Sequence, residues 1–298
     1  MVSEPQVHEA EVHEPPVPDW TTLTGTVQGV NKPRNQDFHH AEGRGTAKEP
    51  LILAVADGHG SAAHARSSLG ARFAVDTFTR QAEQFGELAA GAGTDGPPSL
   101  AWLLNHAQYS FPRRLVSAWR KEALGNWERL QETEQRADPA ATDEQKLVLY
   151  GTTLIGAVLT PQLFAAWQLG DGDLTLVGDD GRVESPLAPV EAELGDETES
   201  LCSRDAWRLV RMHWAPVTDP SRLPRLVALS TDGLSKSFAS DRGFTEFMTG
   251  LGERLSAEGT ARVREVLPEW LAKAAQFSGD DTTLVAARRC LPPLEEDG

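Results

Sequence analysis

The chain has 298 residues, 44 Asp and Glu against 28 Lys and Arg, a formal charge of −16 and 40% hydrophobic residues. That length suits one large core or two small ones. So acidic a balance argues against a protein whose main task is to grip a nucleic-acid backbone or an anionic membrane, because both select clustered positive charge.

Eight of the negative charges lie at the ends. Residues 1–20 carry Glu4, Glu9, Glu11, Glu14 and Asp19 with no Lys or Arg, and Glu295, Glu296 and Asp297 close the chain. Cys202 and Cys290 cannot make a disulfide framework and fit a reducing, cytoplasmic setting. No basic flank and apolar stretch marks a signal peptide, and no apolar run approaches the ~20 residues that span a bilayer, so a soluble protein is expected. Nothing in the sequence argues for an oligomer, and a monomer is expected.

In chain order, residues 1–20 have no periodicity and read as a disordered acidic tail, residues 21–290 as the folded domain, and residues 291–298 as a second acidic tail. A first extended segment spans Thr21 to Gln28. Leu51 to Ala56 reads as a buried strand that ends in Asp57-Gly58. Ser61 is the expected cap of a helix with Leu69, Phe73, Phe78, Ala82 and Phe85 on its apolar face, followed by a break from Gly86 to Pro98. Ser99 should cap a second helix, with Leu100, Leu103, Leu104, Ala107, Phe111, Leu115 and Trp119 on one face and a kink at Pro112. Gln131 to Lys146 reads as a loop.

Thr153 to Leu159, Leu163 to Leu169 and Leu174 to Gly178 read as strands whose short connections imply hairpins and an antiparallel sheet. Pro186 to Ser200 is acidic and irregular, Leu226 to Ser230 is another buried strand, and two amphipathic stretches, Phe244 to Leu255 and Val263 to Phe277, precede a last strand at Thr283 to Ala287. Clustered strands and paired helices favour α+β layers over an alternating parallel fold. Trp102, Trp119, Trp167 and Trp270 lie on apolar faces and are expected in the core; His64, His106 and His213 read as ordinary exposed or locally bonded histidines.

One feature recurs. Apolar strands end directly in carboxylate turns at Asp57-Gly58, Asp171-Gly172 and Asp232-Gly233, while Asp280-Asp281 introduces the final strand. A single Asp-Gly is ordinary turn chemistry. Several of them on strands of one sheet can meet in space, where they repel and need cations, and hard divalent ions with oxygen ligands are the natural counterions. The helix-loop-helix calcium template fails here, since counting from Asp171 puts Thr175 and Leu176 at its fifth and sixth positions.

Asn35-Gln36-Asp37, Ala56-Asp57-Gly58-His59-Gly60, Gly151-Thr152-Thr153, Gly170-Asp171, Ser230-Thr231-Asp232-Gly233 and Gly279-Asp280-Asp281-Thr282-Thr283, in that order, resemble the motif set of the metal-dependent (PPM, type 2C) serine/threonine protein phosphatases. The resemblance covers about Thr21 to Arg289. It implies a four-layer α-β-β-α sandwich, two central antiparallel sheets flanked by helices, with a site for two manganese or magnesium ions and a weaker third at one end. It implies that Asp57 bridges two ions, that the Gly58 carbonyl binds the second, that Asp232 and Asp280 complete the first, and that Asp171 serves the third. The nucleophile would be water, His59 the general acid to the leaving seryl or threonyl oxygen, and the substrate a phosphoprotein.

Three positions depart from the pattern. Gln36 is a neutral amide where a carboxylate is also common, although Asp37 beside it can bind or orient at the metals. Lys32 stands where many members carry a phosphate-clamping Arg, with Arg34 two residues on, and a lysine is a point charge where an arginine grips two oxygens. Asp281 replaces the usual Asn and is either a ligand or a support behind the ligands. The acidic run Glu191 to Glu199 falls where the family carries a variable flap. Two further readings stay open: an inactive phosphoprotein-binding or scaffold module, and a hydrolase of small phosphorylated metabolites.

Overall fold

The structure of the chain, a computed structural model, describes residues 19–91, 98–134, 141–188 and 199–290. The strands are β1 (Asp19–Val27), β2 (Phe38–Glu42), β3 (Leu51–Ala56), β4 (Leu154–Thr160), β5 (Leu163–Leu169), β6 (Asp173–Val177), β7 (Val183–Glu184), β8 (Arg211–Pro216), β9 (Leu226–Ser230) and β10 (Thr282–Cys290). They form two five-stranded sheets, β1-β10-β9-β6-β7 and β2-β3-β4-β5-β8, in which every pairing is antiparallel.

Continuous apolar runs become strands covered on both faces. In β3, Leu51, Leu53 and Val55 pack between the sheets, while Ile52, Ala54 and Ala56 pack outward against helices. Successive strand side chains point to opposite faces, so only a doubly covered strand needs an unbroken apolar sequence. β9 and β10 repeat this, with Val227, Leu229, Val285 and Ala287 inward and Leu226, Ala228, Leu284 and Ala286 outward.

The α-helices of the described residues are α1 (Ser67–Ala89), α2 (Leu100–Asn105), α3 (Phe111–Glu134), α4 (Asp143–Val148), α5 (Ala206–Leu209), α6 (Asp232–Ser235) and α7 (Asp241–Ser278). α1 covers β3 and β4, and α7 covers β1 and β10. The outcome is the expected α+β arrangement of two central antiparallel sheets between helical layers.

Several local expectations need correction. β1 starts at Asp19, and Trp20 is buried, so the ordered chain begins inside the segment read as a tail; residues 1–18 and 291–298 lie outside the described residues. Ser61 does not cap α1, whose N-cap is Arg66 without a side-chain bond, because a short 3-10 turn, Ala62–His64, intervenes. α1 runs on to Ala89, past the expected break at Gly86. The loop expected over Gln131 to Lys146 contains the end of α3 and most of α4, which starts on a capping box between Thr142 and Gln145; residues 135–140 lie outside the described residues. β2, β7 and β8 were not legible, since half-exposed edge strands carry no continuous apolar run. Two helices expected in the last third appear as α7, broken at Gly259, whose φ of 80° no ordinary helical residue adopts.

The Pro112 kink takes a specific form. His106–Ser110 is a π-helical turn, in which the Phe111 N–H donates to the His106 carbonyl. Continuing that register would require an N–H from Pro112, which has none. The Ala107 carbonyl instead accepts the buried Trp167 indole N–H at 2.9 Å. Trp119 is likewise buried and donates to the Gly70 carbonyl at 2.9 Å, but Trp102 is 47% exposed and Trp270 is only partly buried.

Link Gly170–Gly172 also departs from expectation. β4 and β5 form a hairpin, but β5 and β6 belong to different sheets, so the chain crosses the sandwich there, with Gly170 at φ 103°. A crossing between sheets and a hairpin need equally few residues, and spacing alone does not separate them.

Replacing Trp167 by Phe leaves the Ala107 carbonyl buried without a donor. Urea denaturation should show a loss of about 1–3 kcal/mol from that unpaired group, and an unchanged midpoint would refute this role of the indole.

Candidate active site

Antiparallel pairing sorts the strand ends. The C-terminal ends of β3, β5 and β9 and the N-terminal ends of β2, β4, β6 and β10 all fall at one end of the sandwich. Asp37 precedes β2, Asp57 follows β3, Asp171 lies between β5 and β6, Asp232 follows β9 and Asp280 precedes β10. Strand topology therefore brings together residues nearly 250 positions apart.

Asp37 ties the sheets to each other. Its Oδ2 accepts from the Thr231 hydroxyl at 2.9 Å and the Thr283 hydroxyl at 2.7 Å, both on the opposite sheet, while Oδ1 is buried without a hydrogen-bond partner. Burial pushes its carboxyl up to about 7, against the pull of those two hydroxyls, and the charges of Asp281 and Asp232 add to the rise. Asp57 is held through its backbone: its N–H donates to the Thr153 hydroxyl at 3.0 Å and its carbonyl accepts from the Thr152 hydroxyl at 2.7 Å. Burial, then Asp37, Asp232 and Asp280, drives its carboxyl well above the usual range. Asp232 Oδ1 is also buried and unpartnered, and burial with Asp171 raises this carboxyl to about 6.

Two ammonium groups answer this charge. Lys32 Nζ lies 2.6 Å from Asp280 Oδ1, and a Cβ added to Gly60 would stand 3.0 Å from it, so the ammonium sits beside the Asp57–Gly60 turn. Burial works to lower the Lys32 pKa, but the Asp280 bond and the nearby Asp57 and Asp281 charges outweigh it and raise it. Lys236 ion-pairs with Asp232 and lies 3.5 Å from Asp171. As these side chains stand, no three His, Cys, Asp or Glu among the described residues are arranged around a common metal position. The donors nevertheless suit a hard divalent cation: they are oxygens, two of them buried and orphaned, in carboxylates that burial and mutual repulsion hold toward the protonated form.

Asp281 has a separate task. It is fully buried, and its two oxygens accept the Gly29 N–H at 2.8 Å and the Gln36 N–H at 2.7 Å, pinning the β1–β2 connection beneath the site. Gln36 is occupied in turn, its amide nitrogen donating to the Ser67 hydroxyl at 2.6 Å and the His59 carbonyl at 3.1 Å. Both act as supports behind the carboxylates. Gly58 is buried, its N–H donates to the Gln36 carbonyl at 3.2 Å, and a Cβ there would meet that oxygen at 2.7 Å.

His59 stands against His64 with ring centroids 4.8 Å apart, and Gly151 makes room for both, since a Cβ there would meet His64 Nδ1 at 2.4 Å and His59 Cδ2 at 2.8 Å. Burial, then His64, lowers the His59 imidazole to about 4, and its Nε2 is buried without a partner. Arg34 is directed elsewhere, with Nη2 donating to the Ala65 carbonyl at 2.6 Å.

All the sequence-derived acids thus reach one end of the sandwich, Lys32 joins them, and Arg34 is tied to the neighbouring turn. Sequence reading missed Lys236, although its four-residue spacing from Asp232 carried the signal of a helical pair. It also missed Asp173, whose carboxyl burial raises to about 6 beside Asp232 and Asp171, and the anchoring hydroxyls of Thr152, Thr153, Thr231 and Thr283. The acidic flap expected over Glu191 to Glu199 lies outside the described residues except for Glu199. Replacing Asp281 by Ala should orphan two backbone amides and cost about 1–3 kcal/mol, with faster hydrogen exchange at Gly29 and Gln36; full protection at both amides would contradict the pinning role.

Solved structures of the same architecture include the catalytic domain of the serine/threonine protein phosphatase PstP in complex with two manganese ions, 17% identical, covering 91% of this chain and 99% of that one, with a TM-score of 0.54. PppA, described as a key regulatory component of the type VI secretion system in Pseudomonas aeruginosa, is 17% identical over 92% of this chain and 99% of its own, with a TM-score of 0.55. The serine/threonine phosphatase Stp1 from Staphylococcus aureus is 13% identical over 94% and 98%, with a TM-score of 0.54. No curated protein sequence matches the chain. The family model described as protein phosphatase 2C matches residues 24–272, most of the folded chain and all of the strand-end acids except Asp280 and Asp281, and on that match the chain belongs to the protein phosphatase 2C family.

Proposed function

We propose that this protein hydrolyses phosphoserine and phosphothreonine esters in proteins, using water as the nucleophile, at a site that takes two manganese or magnesium ions and a weaker third. The observation that carries this reading is the convergence of strand-end carboxylates with two buried, unpartnered oxygens, Asp37 Oδ1 and Asp232 Oδ1. Asp57, Asp232, Asp280, Asp37 and the Gly58 carbonyl would hold the two ions, and Asp171 the third. The cations, when bound, supply Lewis acidity that offsets charge on the phosphoryl oxygens and makes water more acidic.

The chain's own residues do the positioning. Thr152 and Thr153 grip the Asp57 backbone from both sides, and Thr231 and Thr283 fix Asp37. Lys32, at the edge of the Asp57–Gly60 turn, is better placed than Arg34 to meet a phosphoryl oxygen, because Arg34 is engaged by Ala65. Burial favours neutral His59, but a phosphate dianion beside it favours imidazolium, which then donates from Nε2 to the leaving seryl or threonyl oxygen. Free Cys202 and Cys290 agree with a cytoplasmic setting, and among the described residues no helix is long and apolar enough to cross a membrane. We also read the protein as a monomer.

One observation favours a second reading. Lys32 and Lys236 neutralise Asp280 and Asp232 from within the chain, as a phosphoprotein-binding module without metals would require. Manganese-dependent turnover of p-nitrophenyl phosphate separates the two readings, and micromolar phosphopeptide binding with no turnover at any metal concentration would favour the module.

Replacing Asp57 by Asn should abolish metal-dependent hydrolysis of a phosphothreonine peptide while leaving the circular dichroism spectrum unchanged; full activity of that variant, or of wild type in excess chelator, would refute the proposal. Replacing His59 by Gln should lower kcat for the phosphothreonine peptide by roughly 100-fold or more and far less for p-nitrophenyl phosphate, whose leaving group needs little protonation. Equal losses on both substrates would remove His59 from the general-acid role.

A further inference from the structure

In a molecule of charge −16, the described residues that line the cleft between α3 and α5 include Arg113, Arg120, Lys121, Arg129 and Arg204, against Glu122 and Glu128. It encloses about 730 Å³. Glu122 is turned toward Arg80 at 3.3 Å, which leaves the cleft still more positive. Among the described residues Lys121 and Arg204 make no ion pair, and both are exposed. Arg120 reaches Glu144 with one nitrogen at 3.6 Å, while its Nη1 is buried without a hydrogen-bond partner. Clustered, like-charged guanidinium and ammonium groups repel, and an anion placed among them relieves that repulsion.

The walls are shaped as well as charged. The Arg113 guanidinium lies 4.2 Å from the Trp207 ring centroid and that of Arg208 lies 4.9 Å from it, so the indole holds Arg113 in place. Gly125 lies in the middle of α3, where a glycine weakens a helix. Only Arg129 Nη1, at 3.5 Å, would meet a Cβ there. Its bare surface keeps the cleft open beside Arg129.

Position relates the cleft to the carboxylate end. Thr152, whose hydroxyl holds the Asp57 carbonyl, donates its N–H to the Ser200 hydroxyl at 3.1 Å and accepts the Leu201 N–H at 3.0 Å. Arg204 follows Ser200 by four residues, a reach of at most about 14 Å. That span matches about four residues of an extended peptide substrate.

Resting on the phosphatase reading, we propose that the α3–α5 cleft docks acidic side chains of the phosphoprotein substrate beside its phosphorylated residue. A short acidic segment suits it better than nucleic acid, because a long polyanion would leave the cleft and meet the negative remainder of the surface. Attraction of this kind acts on encounter and on KM and weakens with salt.

The test compares a phosphothreonine peptide flanked by a run of Glu with the same peptide carrying Gln there, and with p-nitrophenyl phosphate, using the full chain and its K121E, R204E and R204Q variants. Wild type should prefer the Glu peptide by roughly tenfold in KM at low salt, lose that preference as salt rises, and lose it in the charge-reversed variants with p-nitrophenyl phosphate turnover unchanged. Equal KM for the two peptides, or a preference that survives charge reversal, overturns the cleft. If no phosphate ester is turned over, the phosphatase reading fails and the cleft is decided by fluorescence anisotropy of a labelled, unphosphorylated Glu peptide: saturable binding lost on charge reversal sustains it, and absent or variant-indifferent binding overturns it. Stronger binding of an RNA oligonucleotide than of the Glu peptide also overturns it. R204Q, which removes the charge without reversing it, covers the case in which a reversed variant does not fold.

Discussion

Burial of carboxylates that also repel one another is the constraint on which this structure turns. Asp37, Asp57 and Asp232 lie in surroundings dry enough, and close enough to other carboxylates, that each carboxyl is pushed above its ordinary range. Left alone, such a cluster would protonate or open the end of the sandwich. It is held by Thr231 and Thr283 on Asp37, by Thr152 and Thr153 on the Asp57 backbone, and by Lys32 and Lys236 as internal counterions. The fold is thus strained where its chemistry would take place, and the strain is what a divalent cation would relieve.

The rest of the molecule supplies the rigidity to hold that cluster. The central strands of the two sheets, β3, β4, β5, β9 and β10, fix the strand ends in relation to one another, because each is locked by neighbours in its sheet and by packing above and below. Asp281 illustrates how the burden is divided. It is adjacent in sequence to Asp280, yet it faces inward and its charge is absorbed by two backbone amides of the β1–β2 connection. These neighbouring aspartates have opposite tasks: Asp280 meets the Lys32 ammonium at the site, while Asp281 is buried against backbone amides.

Charge is likewise distributed unevenly over the surface. The total of −16 contains the strand-end acids and the acidic termini, and against that background the α3–α5 cleft stands out as a positive region bounded by Trp207 and opened by Gly125. Bulk charge describes what the molecule repels at long range; the cleft operates within a Debye length, where local composition outweighs the sum.

Sequence by itself determined the doubly buried strands, because an unbroken apolar run such as Leu51–Ala56 has few other uses, and it determined the acids at their ends, because Asp57, Asp171, Asp232 and Asp280 interrupt those runs abruptly. It did not reveal the half-exposed edge strands β2 and β8, whose mixed composition resembles that of a loop, nor the crossing between sheets at Gly170–Gly172, which has the spacing of a hairpin. Only the tertiary structure decided what each polar group touches. Lys32 meets Asp280 across 248 positions, Arg34 turns to Ala65, and Asp37 accepts from hydroxyls of the opposite sheet. Burial is written into local composition because it follows side-chain polarity; partnership is not, because it depends on which distant strands the sandwich lays side by side.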